Sequence, residues 1–307
     1  MAVAWLPYAS VAEAEERLGG IPDGIEVDCY LGEGQWPDSI DAVEFFVVPY
    51  MKGAEQLARV AEMTSLKVVQ TLTAGVENFQ PHVPEGVTLC NAAGVHDAST
   101  AELAIALALA SGRHLDDFAR LMPSGRWGTA FGTALADQRV LIIGYGHIGA
   151  AIERRLAGFE VSSVTRVARR ARTTPEVHPI EELADLLPAA DVVFVIAPHT
   201  PQTDQLIGAA ELALLPDQAL LVNVARGRLV DTEALVEATA SGRIRAALDV
   251  TDPEPLPAEH PLWQTPGVLI SPHVGGASSA FWPRADRLVA AQLRRFADGA
   301  ELENTIT

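Results

Sequence analysis

Short apolar runs alternate with amphipathic stretches along the whole chain. The runs are continuous rather than interrupted at every second position, which is typical of parallel strands covered on both faces. Strands are predicted at residues 42–48, 67–73, 140–143, 191–196, 219–224, 246–250 and 268–270. Helices are predicted between them, at residues 54–63, 101–109, 148–157, 180–186 and 232–240. Strands and helices in this order and at this spacing predict βαβ units and doubly wound sheets.

Two of the predicted helices carry a start signal. Ser99 and Thr100 precede Glu102 and an apolar run, and Asp231 stands directly before the helix predicted at 232–240. Hydroxyl and carboxylate oxygens at such positions accept hydrogen bonds from the first N–H groups of a helix. We therefore expect helix N-termini at both places.

Composition narrows the class of protein. The chain has 307 residues, 22 Lys and Arg against 40 Asp and Glu, and a formal net charge of −18 at pH 7. At roughly 150 residues per domain the length predicts about two domains. The acidic excess argues against a nucleic-acid or anionic-membrane partner, which requires a basic surface. Neither a disulfide framework, nor a transmembrane run, nor a signal peptide is indicated, so we expect a cytoplasmic protein.

The strongest local motif is a glycine-rich loop between a predicted strand and a predicted helix. It reads Gly144-Tyr145-Gly146-His147-Ile148-Gly149. In a dinucleotide-binding loop, Gly144 would permit the tight turn, Gly146 would admit the pyrophosphate, and Gly149 would let helix and strand pack closely. The N-terminus of the helix would present free N–H groups to the phosphates. The motif therefore predicts a dinucleotide site.

The acidic residue that usually follows such a loop by about 20 positions, and binds the adenosine ribose, is missing. The second strand instead runs into a turn that contains Arg166, Arg169, Arg170 and Arg172. A carboxylate there would repel a 2′-phosphate, whereas an arginine attracts it and can bind it through two N–H groups. We therefore predict NADP over NAD, with Arg166 as the first contact and Arg169 or Arg170 as the second. The alternative is a solvated basic turn in an NAD enzyme.

Three polar segments that follow later strands each carry a side chain suited to catalysis, namely Arg226, Glu254 and His273. They can converge, because ligands of open α/β sheets bind beyond the carboxyl ends of the strands. His273 can supply the proton that a carbonyl oxygen requires when hydride reduces the carbonyl. Glu254 would hold the ring and raise its pKa, and Arg226 would bind a substrate carboxylate. The set predicts hydride transfer at a carbon that bears oxygen, without a metal.

Together these motifs resemble the D-isomer-specific 2-hydroxyacid dehydrogenase family. The resemblance rests on residues 70–78, 100–103, 144–149, 221–231, 248–257 and 271–276. It implies an α/β fold of two Rossmann-like domains, each a doubly wound parallel sheet, with the active site in the cleft between them. The substrate-binding domain would comprise residues 1–95 and 281–307, and the dinucleotide-binding domain residues 96–280.

The resemblance also implies roles for individual residues. Arg226 would bind the substrate, His273 would be the general acid/base with Glu254 as its partner, and Asp249 would hold the nicotinamide carboxamide. The loop at Thr73, Ala74 and Gly75 would bind the substrate carboxylate through its N–H groups. Further cofactor contacts would be Thr100, Ala197, Pro198, Thr203, Val224, Ala225 and Gly275.

The leading hypothesis is an NADP-preferring reductase of small 2-keto acids, such as a glyoxylate or hydroxypyruvate reductase. The family implies a homodimer in which a segment like residues 112–137 embraces the partner. Tyr50 and Met51 could contour the substrate pocket.

Three alternatives differ in function or cofactor. They are a cofactor-sensing, corepressor-like interaction protein on the same fold, an NAD-dependent enzyme, and a phosphite-oxidising enzyme. Residues 71–78 contain no basic side chain for the phosphite dianion, which argues against the last. Formate dehydrogenases pair the histidine with Gln, so Glu254 argues against formate.

Overall fold

The structure is a computed structural model that describes residues 1–306, and these fall into two units. The first comprises Met1–His96 and the segment that begins at Ser279, and the second is Asp97–Ser278. The predicted boundaries differ from these by one residue at the first crossing and by two at the second. Residue 307, which the prediction assigns to the first domain, lies outside the described residues. The assignment of substrate to one unit and cofactor to the other stays a prediction.

A sheet of six strands forms the centre of the first unit. Numbered along the chain, its strands are β1 (Ala2–Leu6), β2 (Ile25–Cys29), β3 (Val43–Val47), β4 (Val68–Gln70), β5 (Thr88–Cys90) and β14 (Thr305–Ile306). The order is β14-β5-β4-β3-β1-β2, and every neighbouring pair is parallel except β14 with β5. The helices are α1 (Val11–Leu18) and α8 (Phe281–Ala297).

Both faces of this sheet are buried, as the continuous apolar strands predict. Successive side chains of a strand point to opposite faces. Phe45 of β3 accordingly packs into one apolar cluster with Leu288 and Leu293 of α8. Phe46 packs into the other cluster with Trp5 of β1. The first unit is therefore a sheet with an apolar layer on each side.

The second unit contains a sheet of eight strands. They are β6 (Arg139–Ile143), β7 (Ser163–Ala168), β8 (Arg172–Thr173), β9 (Glu176–Pro179), β10 (Val192–Val195), β11 (Leu220–Asn223), β12 (Arg245–Leu248) and β13 (Val268–Ile270). The order is β13-β12-β11-β10-β6-β7-β9-β8, parallel except for β8 with β9. The helices are α2 (Asp97–Gly112), α3 (Leu115–Leu121), α4 (His147–Leu156), α5 (Leu183–Leu186), α6 (Ala209–Leu214) and α7 (Thr232–Ala240).

The order of this second sheet is that of a doubly wound fold, because the chain begins in the middle at β6 and proceeds to both sides. Leu141 and Ile143 of β6 lie in the apolar cluster on one face, and Val140 and Ile142 lie in the cluster on the other. The α/β fold class with two mainly parallel sheets is thus confirmed. No helix within residues 1–306 is both long and apolar enough to cross a membrane.

One predicted helix is wrong. Residues 54–63 form two separate 3₁₀ turns, Ala54–Leu57 and Val60–Glu62. The buried apolar side chains of this segment are Leu57 and Met63. They stand six positions apart, which places them about 120° apart around an α-helix and not on one face. The segment therefore buries them best as two short turns.

Of the two predicted helix starts, one is confirmed and one is wrong. The Asp231 carboxylate accepts a hydrogen bond of 3.0 Å from the Ala234 N–H, as a helix cap does. In contrast, α2 already begins at Asp97, so Ser99 and Thr100 lie inside its first turn. The Ser99 hydroxyl lies 2.6 Å from the Ser278 hydroxyl, with which it shares a hydrogen bond.

Candidate active site

The carboxyl ends of β6, β10, β11, β12 and β13 lie along one edge of the second sheet, because these strands are all parallel. The segments that directly follow them contain the second unit's candidate catalytic residues and most of its candidate cofactor contacts. Arg226 follows β11, Asp249 and Glu254 follow β12, and His273 follows β13. Neighbouring strands are about 4.8 Å apart, so these four residues belong to three adjacent positions along the edge. The glycine-rich loop follows β6, two strands beyond β11.

His273 and Glu254 form the central pair of the site. The imidazole Nδ1 lies 2.5 Å from the Glu254 Oε1. This hydrogen bond raises the pKa of His273 above its ordinary value, although burial and the positive charge of Arg226 act in the opposite direction. The same bond lowers the pKa of the Glu254 carboxyl. Because Glu254 occupies Nδ1, the ring nitrogen left for a reacting molecule is Nε2.

The His273 backbone is held by Asp249, a buried carboxylate with 2% of its surface exposed. The Asp249 Oδ1 accepts hydrogen bonds from the Ser271 hydroxyl at 2.6 Å and the Val274 N–H at 3.0 Å. Its Oδ2 accepts one from the Gly275 N–H at 2.8 Å. These bonds flank His273 on both sides, and His273 has a φ of 53°, in the left-handed region that costs most side chains energy. Asp249 therefore fixes the loop that presents the imidazole.

Asn223, at the end of β11, has a comparable place beside Arg226 and is almost fully buried. Its Nδ2 donates to the Arg226 carbonyl at 2.9 Å, and its Oδ1 accepts from the Ala225 N–H at 3.1 Å. The Arg226 Nη1 in turn donates to the Ala225 carbonyl at 2.7 Å. One buried side chain thus bonds the peptide group that follows Arg226 and the peptide group between Val224 and Ala225.

Gly227 lets the loop of Arg226 approach the loop of Glu254. A Cβ atom at Gly227 would lie 2.0 Å from the Thr251 carbonyl oxygen and 2.6 Å from the Asp252 nitrogen. Backbone atoms cannot move aside as the end of a side chain can. The close contact between these two loops therefore requires glycine at this position.

The glycine-rich loop has the geometry that a dinucleotide site requires. Gly144 has a φ of 101°, and a Cβ there would lie 2.3 Å from the Ala197 nitrogen. At Gly149 a Cβ would lie 3.1 Å from the Gly144 carbonyl oxygen, so helix and turn pack closely. At Gly146, by contrast, a Cβ would meet nothing within 4 Å. The first N–H groups of α4, which starts at His147, have no acceptor within the helix and favour an anion.

The other candidate cofactor residues of this unit lie around the same edge. The Thr203 hydroxyl donates to the Pro198 carbonyl at 2.8 Å, so it closes the loop after β10. Thr100 of α2 lies beside Gly275, since a Cβ at Gly275 would be 3.4 Å from the Thr100 Cγ2. The exposed His147 lies near Asp97, with 3.8 Å between Nδ1 and Oδ2. The remaining three, Ile148, Val224 and Ala225, are partly or fully buried apolar residues.

The four arginines that the sequence places in a turn after the second strand lie in different environments, and Arg166 lies within the strand and not in the turn. Arg166, in β7, is paired with Glu153 of α4 through both carboxylate oxygens, with 2.8 Å between Nε and Oε2. Arg172 donates to the Tyr145 carbonyl, and its guanidinium lies 5.4 Å from the centre of the Tyr145 ring. Arg169 and Arg170 are exposed, and within residues 1–306 their side chains form no hydrogen bond or ion pair.

In the first unit, the loop after β4 has bonded carbonyl groups and unbonded N–H groups. The Thr73 carbonyl accepts from the Ala92 N–H, the Ala74 carbonyl from the Asn91 Nδ2, and the Gly75 carbonyl from the Thr73 hydroxyl, each at 2.8 Å. Among the described residues, the N–H groups of Ala74 and Gly75 have no acceptor. Successive free N–H groups of this kind form a concavity suited to an anion.

Tyr50 and Met51 follow β3 in the same unit. The Tyr50 ring stacks on Phe281, with 3.8 Å between the ring centres. The Met51 side chain is exposed. Their part in a substrate pocket stays a prediction.

Comparison with known proteins identifies the family. A family model described as the NAD binding domain of the D-isomer specific 2-hydroxyacid dehydrogenases matches residues 105–275, more than half of the chain. The protein belongs to the D-isomer specific 2-hydroxyacid dehydrogenase family. The resemblance stated from the sequence motifs is therefore confirmed.

Individual relatives of this 2-hydroxyacid dehydrogenase support the assignment to the family. It is 33% identical over 293 residues to a glyoxylate reductase of Thermofilum pendens. The aligned region covers 91% of this chain and 80% of the relative. It is similar to an NADPH-dependent glyoxylate/hydroxypyruvate reductase of Sinorhizobium meliloti in complex with citrate. That likeness has 27% identity, a TM-score of 0.84 and coverage of 100% and 98%. It is also similar to a D-isomer specific 2-hydroxyacid dehydrogenase from Xanthobacter autotrophicus Py2 in complex with NADPH and MES. That likeness has 28% identity, a TM-score of 0.80 and coverage of 100% of this chain and 98% of the other.

These findings make the protein an NAD(P)-dependent 2-hydroxyacid dehydrogenase that acts on small hydroxy or keto acids.

Sequence reasoning missed several residues that shape the site of this dehydrogenase. Asn223 carried a usable signal, as the one polar residue in the otherwise apolar run of residues 219–225. Ser271 also did, because it directly follows a predicted strand and precedes His273 by two positions. Glu153 carried none, since its pairing with Arg166 depends on how α4 lies against β7.

Proposed function

We propose that the protein is an NADPH-preferring reductase of small 2-keto acids, with glyoxylate and hydroxypyruvate as its first candidates and His273 as the general acid. The observation that carries the proposal is the His273–Glu254 pair. His273 follows β13 and Glu254 follows β12, and Arg226 follows β11, the strand next to β12. The three residues and the glycine-rich loop lie along the same edge of the sheet. Residues for dinucleotide binding and residues for protonation of the keto acid are therefore both found there.

The chemistry proposed for the chain's own residues is a proton transfer with charge stabilisation. A bound reduced nicotinamide supplies the hydride. His273, protonated at Nε2, gives its proton to the oxygen of the keto group as negative charge develops there. Glu254 stabilises the imidazolium through Nδ1 until that transfer. In the oxidative direction the neutral ring accepts the proton from the hydroxyl group.

Arg226 would bind the carboxylate of the acid and polarise the neighbouring carbonyl group. A guanidinium offers two parallel N–H groups that match a carboxylate. Its backbone is fixed by Asn223. In the first unit, the N–H groups of Ala74 and Gly75 are the donors that we assign to the same kind of anion.

The residues that would hold the dinucleotide lie along the remainder of the edge. The N–H groups at the start of α4 would bind the pyrophosphate, and the open space at Gly146 is consistent with close approach of a phosphate. Asp249 already accepts three hydrogen bonds. A carboxylate has about four acceptor positions, so one is left for the nicotinamide carboxamide.

The preference for NADPH is supported by charge. β7 ends at Ala168, and the two residues that follow it, Arg169 and Arg170, are exposed cations on a chain with a net charge of −18. The four residues after Ala168 contain three guanidinium groups and no carboxylate. Arg172 is bonded to the Tyr145 carbonyl, so a 2′-phosphate at the end of this strand would find the guanidinium groups of Arg169 and Arg170 unbonded. The Sinorhizobium meliloti and Xanthobacter autotrophicus relatives are, respectively, NADPH-dependent and bound to NADPH.

We further propose a cytoplasmic homodimer. The segment between α3 and β6 exposes Trp127 and Phe131 almost completely, and Met122 is also largely exposed. Large apolar side chains in one segment favour a protein partner over water. A second copy of this chain is the partner that the sequence predicts. Replacing Trp127 and Phe131 by Ser should shift the mass measured by light scattering from dimer to monomer.

Steady-state kinetics with both cofactors test the proposed function. Glyoxylate, hydroxypyruvate, pyruvate and bulkier 2-keto acids are each assayed with NADPH and with NADH. We expect the highest kcat/KM for one of the first two acids with NADPH. A higher kcat/KM with NADH would contradict the cofactor assignment, and a preference for bulky acids would contradict the substrate assignment.

A further inference from the structure

Arg166 and Glu153 form an ion pair beside the turn that we assign to the 2′-phosphate. The Arg166 Nε donates to the Glu153 Oε2 at 2.8 Å, and a second N–H group of the guanidinium donates to Oε1. The Tyr145 hydroxyl, from the glycine-rich loop, donates to the same Oε2 at 2.5 Å. Arg166 also donates to the Glu176 carbonyl of β9 at 3.4 Å. The guanidinium therefore has protein partners on two sides.

This ion pair reduces the positive charge that the turn after β7 presents to a phosphate. A cation and an anion in direct contact act at a distance as a dipole, whose field falls off faster than that of a single charge. Arg166 thus contributes much less attraction for a phosphate than its formal charge indicates. Arg169, Arg170 and Arg172 have no carboxylate partner among the described residues, so their charges are uncompensated. Arg172 is bonded to the Tyr145 carbonyl, whereas the side chains of Arg169 and Arg170 are unbonded.

We propose that Glu153 is a specificity-determining residue, which withholds Arg166 from the 2′-phosphate and leaves the discrimination between NADPH and NADH to Arg169 and Arg170. The proposal rests on the proposed NADPH preference. It reverses the order in which the sequence ranks these arginines. Its consequence is that the protein prefers NADPH less strongly than its four clustered arginines would allow.

The Tyr145 hydrogen bond gives Arg166 and Glu153 a second, separate effect. Tyr145 lies between Gly144 and Gly146, and its ring centre is 5.6 Å from the Arg166 guanidinium. The pair therefore holds the side chain of Tyr145 in the glycine-rich loop. Replacing Arg166 should therefore weaken ligands with and without a 2′-phosphate, and those with it more strongly, because Glu153 is then an unpaired carboxylate beside the turn.

Calorimetry on the full chain with two nucleotide fragments separates these effects without any catalytic step. The fragments are 2′,5′-ADP and 5′-AMP, and the measured quantity is the ratio of their affinities. We expect Glu153→Gln to raise the ratio about three- to tenfold, because Gln keeps an acceptor for Tyr145 but releases the Arg166 charge. The double variant R169A/R170A should lower the ratio about tenfold or more, and Arg166→Ala should also lower it, because it leaves the Glu153 carboxylate unpaired.

The combination of Glu153→Gln with Arg166→Ala decides between a specific and a general charge effect. This double variant carries neither charge of the pair, so its ratio should return close to that of the unaltered protein. The matched control is Glu237→Gln on α7, an exposed carboxylate whose removal changes the net charge equally and should leave the ratio unchanged.

Two results would overturn the proposal: an unchanged ratio in Glu153→Gln, or a double variant whose ratio stays as high as that of Glu153→Gln alone. Failure of the proposed function would look different. The unaltered protein would then bind 2′,5′-ADP no better than 5′-AMP, while the response to Glu153→Gln could still be measured.

Discussion

The two ends of the functional edge in the second unit hold their charged side chains by different means. At the β11–β13 end, Asp249 and Asn223 are almost fully buried and bond directly to the backbone around His273 and Arg226. At the β7 end, Arg169 and Arg170 are exposed and unpaired among the described residues.

The difference follows from what each end has to do. Proton transfer requires donor and acceptor within hydrogen-bond distance, and a displacement of about 1 Å can lower the rate about 10²-fold. Attraction of a phosphate requires charge of the right sign and tolerates some freedom. Burial and backbone hydrogen bonds are therefore found where position matters, and exposed cations where charge suffices. The predictions below test this contrast, from the largest expected effect to the smallest.

Replacing His273 by Ala should have the largest effect. Loss of a general acid lowers the rate about 10²- to 10⁴-fold, and kcat for keto-acid reduction should fall within this range. The Kd of NADPH, measured by fluorescence titration, should change little. Turnover close to that of the unaltered enzyme would show that another group donates the proton.

Arg226→Lys tests whether position matters beyond charge. Lysine keeps the positive charge but lacks the planar pair of N–H groups that a carboxylate binds. We expect kcat/KM for glyoxylate to fall about 10- to 100-fold, in line with the loss of a charge-assisted hydrogen bond. If kcat/KM were retained, charge alone would suffice at this end too, and the contrast would be wrong.

Asp249→Ala should affect both stability and turnover. It leaves the Val274 and Gly275 N–H groups without their acceptor, and an unsatisfied buried group costs about 1–3 kcal/mol. The free energy of unfolding in urea should fall by at least this amount, and kcat should fall because His273 loses its fixed backbone. Thr239→Ala, which removes a buried hydroxyl bonded to the Leu235 carbonyl, is the control. It should lower stability without changing kcat at a temperature where the protein is folded.

Glu254→Gln should shift the pH dependence. Glu254 raises the pKa of His273, and reduction requires the protonated ring. Thus kcat/KM for reduction is high below this pKa and falls as pH rises through it. Without the carboxylate the pKa drops, so the fall should begin at lower pH in the variant. A profile that moves to higher pH, or does not move, would contradict the pairing.

Ionic strength should produce the smallest effect. Salt screens exposed charges more than buried ones, and the Debye length is about 10 Å at 0.1 M and about 3 Å at 1 M. Raising the salt concentration over this range should reduce the ratio of kcat/KM with NADPH to kcat/KM with NADH. It should reduce kcat at saturating cofactor less. An equal response at both ends would remove the contrast between them.

Much of this site could be predicted from the sequence, because strand-end motifs depend on short-range patterns. The glycine-rich loop, Arg226, Glu254 and His273 each follow a continuous apolar run, and parallel strands bring such positions to one edge. The prediction of a helix at 54–63 failed because the positions of apolar residues do not show which of them are buried. The buried ones, Leu57 and Met63, would not lie on one face of an α-helix. The three residues of β5 are too few for any period to be seen.

The contacts that could not be predicted depend on tertiary packing. Glu153 and Arg166 are 13 positions apart and meet only because α4 covers β7. In the same way, the bonds that Asn91 makes to the loop after β4 require β5 to lie next to it. Such pairs have no signature in a single sequence.

The order of the two units along the chain has a consequence for engineering and evolution. Asp97–Ser278 is one uninterrupted stretch, whereas the first unit is assembled from sequence on both sides of it. Exchange of that stretch at the level of the gene therefore needs only two junctions and leaves β1 and β14 in place within their sheet. A recombination event of this kind could replace the cofactor preference of such an enzyme in a single step while retaining the rest of its fold.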